Sequence, residues 1–216
     1  MQNSITAVIF DLGNTLIEWN PRHLYRKLLS DDTPAMEYFL AEICNDAWNA
    51  EQDRGRPWAE AIAETIARHP DYASLIRAYR ERWEEMIPCA IPGSVAIFEE
   101  LEAVGMPLYA ITNFSDETLP IALARFPFLN RFRDTAVSAR LGLLKPDPAI
   151  YRFLLTQNGL DPQSAVFIDD QPRNVAAAAE LGLHAIQFVN AEQTRRALAA
   201  LGVPLEPSAL ALSPAS

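Results

Sequence analysis

Five short apolar runs punctuate the chain, at residues 7–10, 108–111, 136–137, 166–168 and 185–189. Each is continuous rather than alternating, which suits strands buried on both faces and hence a parallel sheet. Four of them run into a polar residue: Asp11, Thr112, Ser138 and Asp169. Helical periodicity fills the spaces between, at 94–104, 117–125, 148–158, 174–181 and 191–201. Gly105, Gly159, Gly182 and Gly202 follow four of these segments, where a left-handed residue commonly closes a helix. Strands alternating with helices predict a doubly wound α/β sheet of five or more mainly parallel strands.

The stretch 18–88 breaks that alternation. It contains no strand pattern and reads as four helices, at 21–29, 34–45, 57–68 and 72–86, with Pro21, Pro34 and Pro57 at their starts. Trp48, Trp58 and Trp83 fall here and read as the core of a small bundle. The expected division is an α/β domain at 1–17 and 89–203, an all-helical cap at 18–88, and a flexible Pro-, Ser- and Ala-rich tail at 204–216.

Composition narrows the partners. The 216 residues carry 18 Lys plus Arg against 28 Asp plus Glu, a net charge of −10. So acidic a chain is not expected to bind nucleic acid or an anionic membrane, since phosphate backbones require clustered positive charge. No apolar run approaches the roughly 20 residues of a membrane span, and the first ten residues lack a basic signal-peptide start. Cys44 and Cys89 form no CxxC spacing and read as reduced, structural thiols. The expectation is a cytoplasmic location. Oligomeric state is left open.

The candidate chemistry collects at one edge. Ligands of an open parallel sheet bind beyond the carboxyl ends of its strands. Asp11, Thr112 with Asn113, and the pair Asp169–Asp170 sit there, and Lys145 lies in the loop before the helix leading to the fourth strand. Three carboxylates crowded at a buried sheet edge cannot all ionise without a cation. A hard divalent ion such as Mg²⁺ resolves that conflict.

These residues stand in four ordered motifs: V-I-F-D-L-G-N-T-L at 8–16, Ile111-Thr112-Asn113, G-L-L-K-P-D-P-A-I-Y at 142–151, and V-F-I-D-D-Q-P-R-N at 166–174. The set resembles that of haloacid dehalogenase-like (HAD) superfamily hydrolases with a helical cap after the first strand of a Rossmann-like core. The Asp-Leu-Gly-Asn start is similar to that of certain sugar-phosphate phosphatases. The resemblance implies attack by Asp11 on phosphorus through an aspartyl-phosphate, with a small phosphorylated metabolite as substrate. It further implies that Asp11, the Gly13 carbonyl and Asp170 hold Mg²⁺ with Asp169 in support, although the sequence itself does not divide Asp169 from Asp170. Lys145 then offsets anionic repulsion, while Thr112, Asn113 and the backbone at Leu12 and Gly13 bind the phosphoryl oxygens. Asn174 is a candidate holder of a metal-bound water.

Gly13 departs from the pattern, because most family phosphatases place an Asp there as general acid and base. Glu18 and His23 at the cap entrance are candidate substitutes, and Arg54 or Arg56 in the segment 51–56, read as an interhelical loop, are candidate substrate-recognition residues. Two other readings remain. A 2-haloacid dehalogenase would need no acid at position 13, but has no use for the second carboxylate of the Asp169–Asp170 pair. A non-catalytic binding protein would tolerate Gly13 but has no reason to keep the crowded carboxylates.

Overall fold

A computed structural model describes residues 4–205, and the expected tail falls outside this range from residue 206 on. Strands β1 (Ala7–Phe10), β2 (Leu108–Thr112), β3 (Asp134–Val137), β4 (Ala165–Asp169) and β5 (His184–Gln187) form one sheet in the order β3-β2-β1-β4-β5. Every neighbouring pair is parallel. The doubly wound, Rossmann-like α/β architecture expected from the run pattern is therefore present.

The continuous apolar runs have a direct cause. Successive side chains of a strand point to opposite faces, so Val8 and Phe10 enter one apolar layer while Ala7 and Ile9 enter the other. Strand β4 repeats this, with Val166 and Ile168 on the first side and Ala165 and Phe167 on the second. Both faces are covered by helices, so the central strands are apolar up to their carboxyl ends, while the edge strands β3 and β5 carry Asp134, Thr135, His184 and Gln187.

Between β1 and β2 the chain forms helices and two isolated β-bridges, Gly13 to Ile17 and Ile17 to Ala90. The helices are α1 (Arg22–Leu28), α2 (Thr33–Tyr38), α3 (Asp46–Asp53), α4 (Trp58–Arg68), α5 (Ala73–Glu81) and then α6 (Pro92–Ala103) leading back to the sheet. The expected helix at 34–45 is α2 continued by one π-helical turn, Phe39–Ile43, which buries Phe39, Leu40 and Ile43. The expected helix at 72–86 is α5 followed by a separate 3₁₀ turn, Trp83–Met86.

Helix α3 was not anticipated. Only Trp48 and Gln52 of its eight residues are buried, so it shows no apolar stripe to read. Its start is fixed by Asn45, whose side chain accepts from the Trp48 N–H. Residues 51–53, read as loop, are its last turn. The turn proper is 54–57, where Gly55 takes φ +110.

Trp48, Trp58 and Tyr79 pack ring to ring at 5.1–5.6 Å centroid separations in the core of this insertion. That apolar cluster is continuous with the layer on the Val8 and Phe10 face of the sheet. The remaining helices are α7 (Leu119–Arg125), α8 (Ser138–Leu141), α9 (Pro148–Gln157), α10 (Pro172–Glu180) and α11 (Ala191–Ala200). None of the described helices is long and apolar enough to cross a membrane.

Candidate active site

Because all five strands are parallel, their carboxyl ends emerge on one edge. Strand β1 delivers Asp11, β2 ends on Thr112, and β4 ends on Asp169 with Asp170 next. Oxygens of Asp11, Asp169 and Asp170 lie within 4.8 Å of one another. Lys145 reaches this edge from the loop after α8, its backbone clipped to β2: the Lys145 N–H donates to Asn113 Oδ1 at 2.8 Å, and Asn113 Nδ2 donates to the Lys145 carbonyl at 3.1 Å. Its Nζ then sits 2.7 Å from both Asp11 Oδ1 and Asp169 Oδ2.

Asp169 is fully buried and its carboxylate is saturated. Oδ1 accepts from the Gln171 N–H at 2.8 Å and from Asn174 Nδ2 at 3.0 Å, and Oδ2 accepts from Lys145 Nζ and from Asn174 Nδ2. Asp170 is half-buried and has only the Gln171 amide at 2.6 Å on Oδ2. On Asp11, the Leu12 N–H and Lys145 Nζ both meet Oδ1, each at 2.7 Å.

The electrostatics follow from burial. Burial pushes the Asp11 carboxyl up to about 7, and the charges of Asp169 and Asp170 add to this against the pull of Lys145. Burial raises Asp170 as well. Burial alone would lower Lys145, but Asp11 and Asp169 outweigh it and hold the ammonium charged. Asp11 and Asp170, two acids that resist ionisation beside one lysine, keep oxygens open to a further partner. Buried Asn174 Oδ1 has no hydrogen-bond partner and lines the same pocket. Both features fit a hard divalent cation with bound water.

Above the strand ends lies a pocket of about 250 Å³, lined on the core side by Asp11, Gly13, Thr112, Asn113, Lys145 and Asp170. Its opposite wall is supplied by Trp19 and Trp83 and by Asp46, Asn49 and Asp53 of α3. Sequence reasoning missed these α3 residues because it missed the helix that carries them. The only signal was Asn45 three residues before Trp48, a weak N-cap pattern.

The other expected residues lie elsewhere. Glu18 and His23 pair with each other at 2.6 Å, and the Cys89 thiol donates to Glu18. Arg54 pairs with Glu51, and Arg56 with Glu60 and Glu64. None of these four is among the residues lining the pocket. Leu12 is buried, and its N–H is committed to Asp11.

Comparison with known proteins places this geometry in context. A family model described as haloacid dehalogenase-like hydrolase matches residues 5–182. A mouse protein named acyl-CoA dehydrogenase family member 10 is 28% identical over 94% of this chain and 20% of its own length. The (S)-2-haloacid dehalogenase 4A of Burkholderia cepacia is 29% identical over 53% of this chain and 47% of its own. The phosphoglycolate phosphatase of Pseudomonas savastanoi pv. phaseolicola is 24% identical over 82% of this chain and 66% of its own. The chain thus spans less than two thirds of each of these relatives. Among solved structures, a HAD family enzyme from Bacteroides thetaiotaomicron, in complex with magnesium and inorganic phosphate, superposes with a TM-score of 0.65 at 22% identity, covering 85% of this chain and 94% of that one. The ordered motifs, the sheet they terminate and the match over residues 5–182 make this chain a member of the haloacid dehalogenase-like hydrolase family.

Proposed function

We propose that the protein is a Mg²⁺-dependent phosphomonoester hydrolase acting on a small phosphorylated metabolite through a phospho-Asp11 intermediate. The observation that carries this is Lys145 Nζ standing 2.7 Å from both Asp11 and Asp169, with Asp170 completing a cluster of oxygens inside 4.8 Å. The magnesium and phosphate bound by the Bacteroides enzyme support the same reading. So does the Pseudomonas phosphatase.

Asp11 and Asp170 are the side chains that would hold the cation, with the Gly13 carbonyl. Asp169, every lone pair of which is already engaged, orients Lys145 and Asn174 instead. When bound, the cation neutralises phosphoryl charge and lets the crowded carboxylates ionise.

Asp11 Oδ2, free of the bonds that fix Oδ1, attacks phosphorus. A P–O bond to Asp11 forms as the ester P–O bond breaks, and the electron pair leaves on the alcohol oxygen, which takes its proton from water because Gly13 offers none. Lys145 stabilises the charge between the two anions, and Thr112 and Asn113 border the seat of the phosphoryl oxygens. Water then cleaves the aspartyl-phosphate and regenerates Asp11. The helical wall over the pocket excludes bulk water during the transfer.

Asp11→Asn tests the nucleophile. The amide keeps the shape of the carboxylate, so the expected result is a variant that still unfolds cooperatively, with phosphate release lost. Activity retained in that variant sinks the assignment.

A dehalogenase reading has one observation in its favour: Gly13 offers no acid, and a halide leaving group needs none. The doubled carboxylate Asp169–Asp170 weighs against it, since attack on carbon gains nothing from a cation. Chloride release from 2-chloropropionate in excess chelator, with no phosphate released from esters, is the result that would favour it.

A further inference from the structure

We infer that the wall made by Asp46, Asn49 and Asp53 of α3, with Trp19 and Trp83, selects phosphoesters whose leaving group is small, uncharged and hydroxylated, and rejects those carrying a second anion. This rests on the phosphatase reading and names its substrate class.

The argument begins with where positive charge is. Lys145 is consumed at the reaction centre by Asp11 and Asp169. Arg173, at the start of α10, is the other cation lining the pocket among the described residues, and it stands on the core side, across the pocket from α3. The insertion contributes no cation to the lining. Arginines of the insertion pair with acids outside the lining: Arg54 with Glu51, Arg56 with Glu60 and Glu64, and Arg80 with Glu117. Arg22, whose charge is felt at Asp46, is held by Glu37 through two bonds of 2.7 and 2.6 Å.

What faces the leaving group instead is acidic. An in-line displacement by Asp11 sends the leaving oxygen away from the core and towards α3. A carboxylate on that group would meet the charge of Asp46, with no cation on the α3 side of the pocket to offset it. Burial already pushes the Asp53 carboxyl up to about 8, so the wall disfavours even its own charge.

A hydroxyl group suits the same wall. Asp46 offers acceptor oxygens, and Asp53, whose carboxyl burial pushes up to about 8, adds a donor in its protonated form. Asn49 Nδ2 donates to Asp53 Oδ2 at 2.9 Å and fixes its orientation. Trp83, braced edge-on by Phe114 at 5.4 Å, and Trp19 supply apolar faces for the carbon skeleton. About 250 Å³ lies just below the usual range of ligand pockets, roughly 300–1,000 Å³, which suits a small leaving group.

The experiment compares isosteric pairs: glycerol 3-phosphate with 3-phosphoglycerate, and 2-hydroxyethyl phosphate with phosphoglycolate, with p-nitrophenyl phosphate as reference and Mg²⁺ present. The expected kcat/KM favours the alcohol of each pair by roughly 10²-fold, the scale of a like-charge juxtaposition. Asp46→Asn should narrow the ratio and Asp46→Lys should reverse it. Asp46 is exposed in the first turn of α3, so these changes spare the core. Arg54→Gln, outside the pocket, should leave the ratio unchanged. Equal or better turnover of the carboxylates, or a ratio that Asp46→Lys does not move, overturns the selectivity alone. No Mg²⁺-dependent release from any ester, p-nitrophenyl phosphate included, overturns the phosphatase reading and this inference with it.

Discussion

Gly13 sits two residues beyond the proposed nucleophile and contributes a backbone carbonyl but no acid. A Cβ built there meets only the Trp19 Cβ at 3.9 Å, an ordinary contact, so a side chain fits without moving the loop. Gly13→Asp is therefore expected to raise turnover of alkyl phosphates, whose poor leaving groups need a proton, by up to roughly 10²–10⁴-fold. Hydrolysis of p-nitrophenyl phosphate, which leaves as a stable anion, should change far less. Rates on the two ester classes, compared between variant and parent, check this. At Asp53 the sign of the pH effect can be worked out. Its carboxyl rises from 3.8 to about 8 on folding, so the folded state holds a proton that the unfolded chain has released. Stability from this group is fully present below about pH 4 and falls as pH rises to about 8. Thermal unfolding of Asp53→Asn should accordingly show a shallower decline across pH 4–8 than the parent.

Helix α3 and its turn are the element on which the pocket depends. Gly55 at φ +110 brings the backbone within reach of α8: a Cβ there would lie 2.8 Å from the Ala139 carbonyl oxygen. The Ser138 hydroxyl donates to the Asp53 carbonyl across the same seam. Trp58 ties the next helix to the loop after β2 through its indole N–H to Ser115 Oγ at 2.9 Å and its backbone N–H to Glu117 at 3.0 Å. Gly55→Ala adds both a strained φ and a backbone clash, with a cost of about 1–3 kcal/mol. Its distinctive expected effect is a raised KM, because the turn that seats α3 over the strand ends must shift. A lowered melting temperature with unchanged KM would mean that α3 holds its place by other contacts.

Across the whole molecule, the carboxylate cluster couples cation binding to stability. Three buried or half-buried acids share one lysine, so a divalent ion binds the folded chain and not the unfolded one. At a hundred times its Kd, such a ligand stabilises by about 2.7 kcal/mol. For a chain of this size that is a rise of roughly 5–10 °C in melting temperature. Mg²⁺ should produce this shift, chelator should reverse it, and Asp170→Asn should remove most of it. Insensitivity of the parent to Mg²⁺ would dismiss the cation site.

The sequence by itself determined the sheet and the composition of its working edge. Strands buried on both faces must be apolar at every position, so 7–10 and 166–168 stood out, and the polar residues ending them, Asp11 and Asp169, had to fall on one side of a parallel sheet. Lys145 was legible through its motif at 142–151, although the short helix α8 before it, closed by Gly142, was not. The tertiary structure decided what depends on contacts distant in the chain. Asp169 and Asp170 are adjacent and chemically alike, and only the bonds from Lys145, Gln171 and Asn174 distinguish the saturated carboxylate from the available one. Glu18, His23, Arg54 and Arg56 looked available in one dimension and are held by partners on the pocket's outside. Asp46 and Asp53 showed no motif at all, because α3 buries only two side chains and is held by neighbours distant in sequence such as α8, whose Ser138 hydroxyl donates to the Asp53 carbonyl.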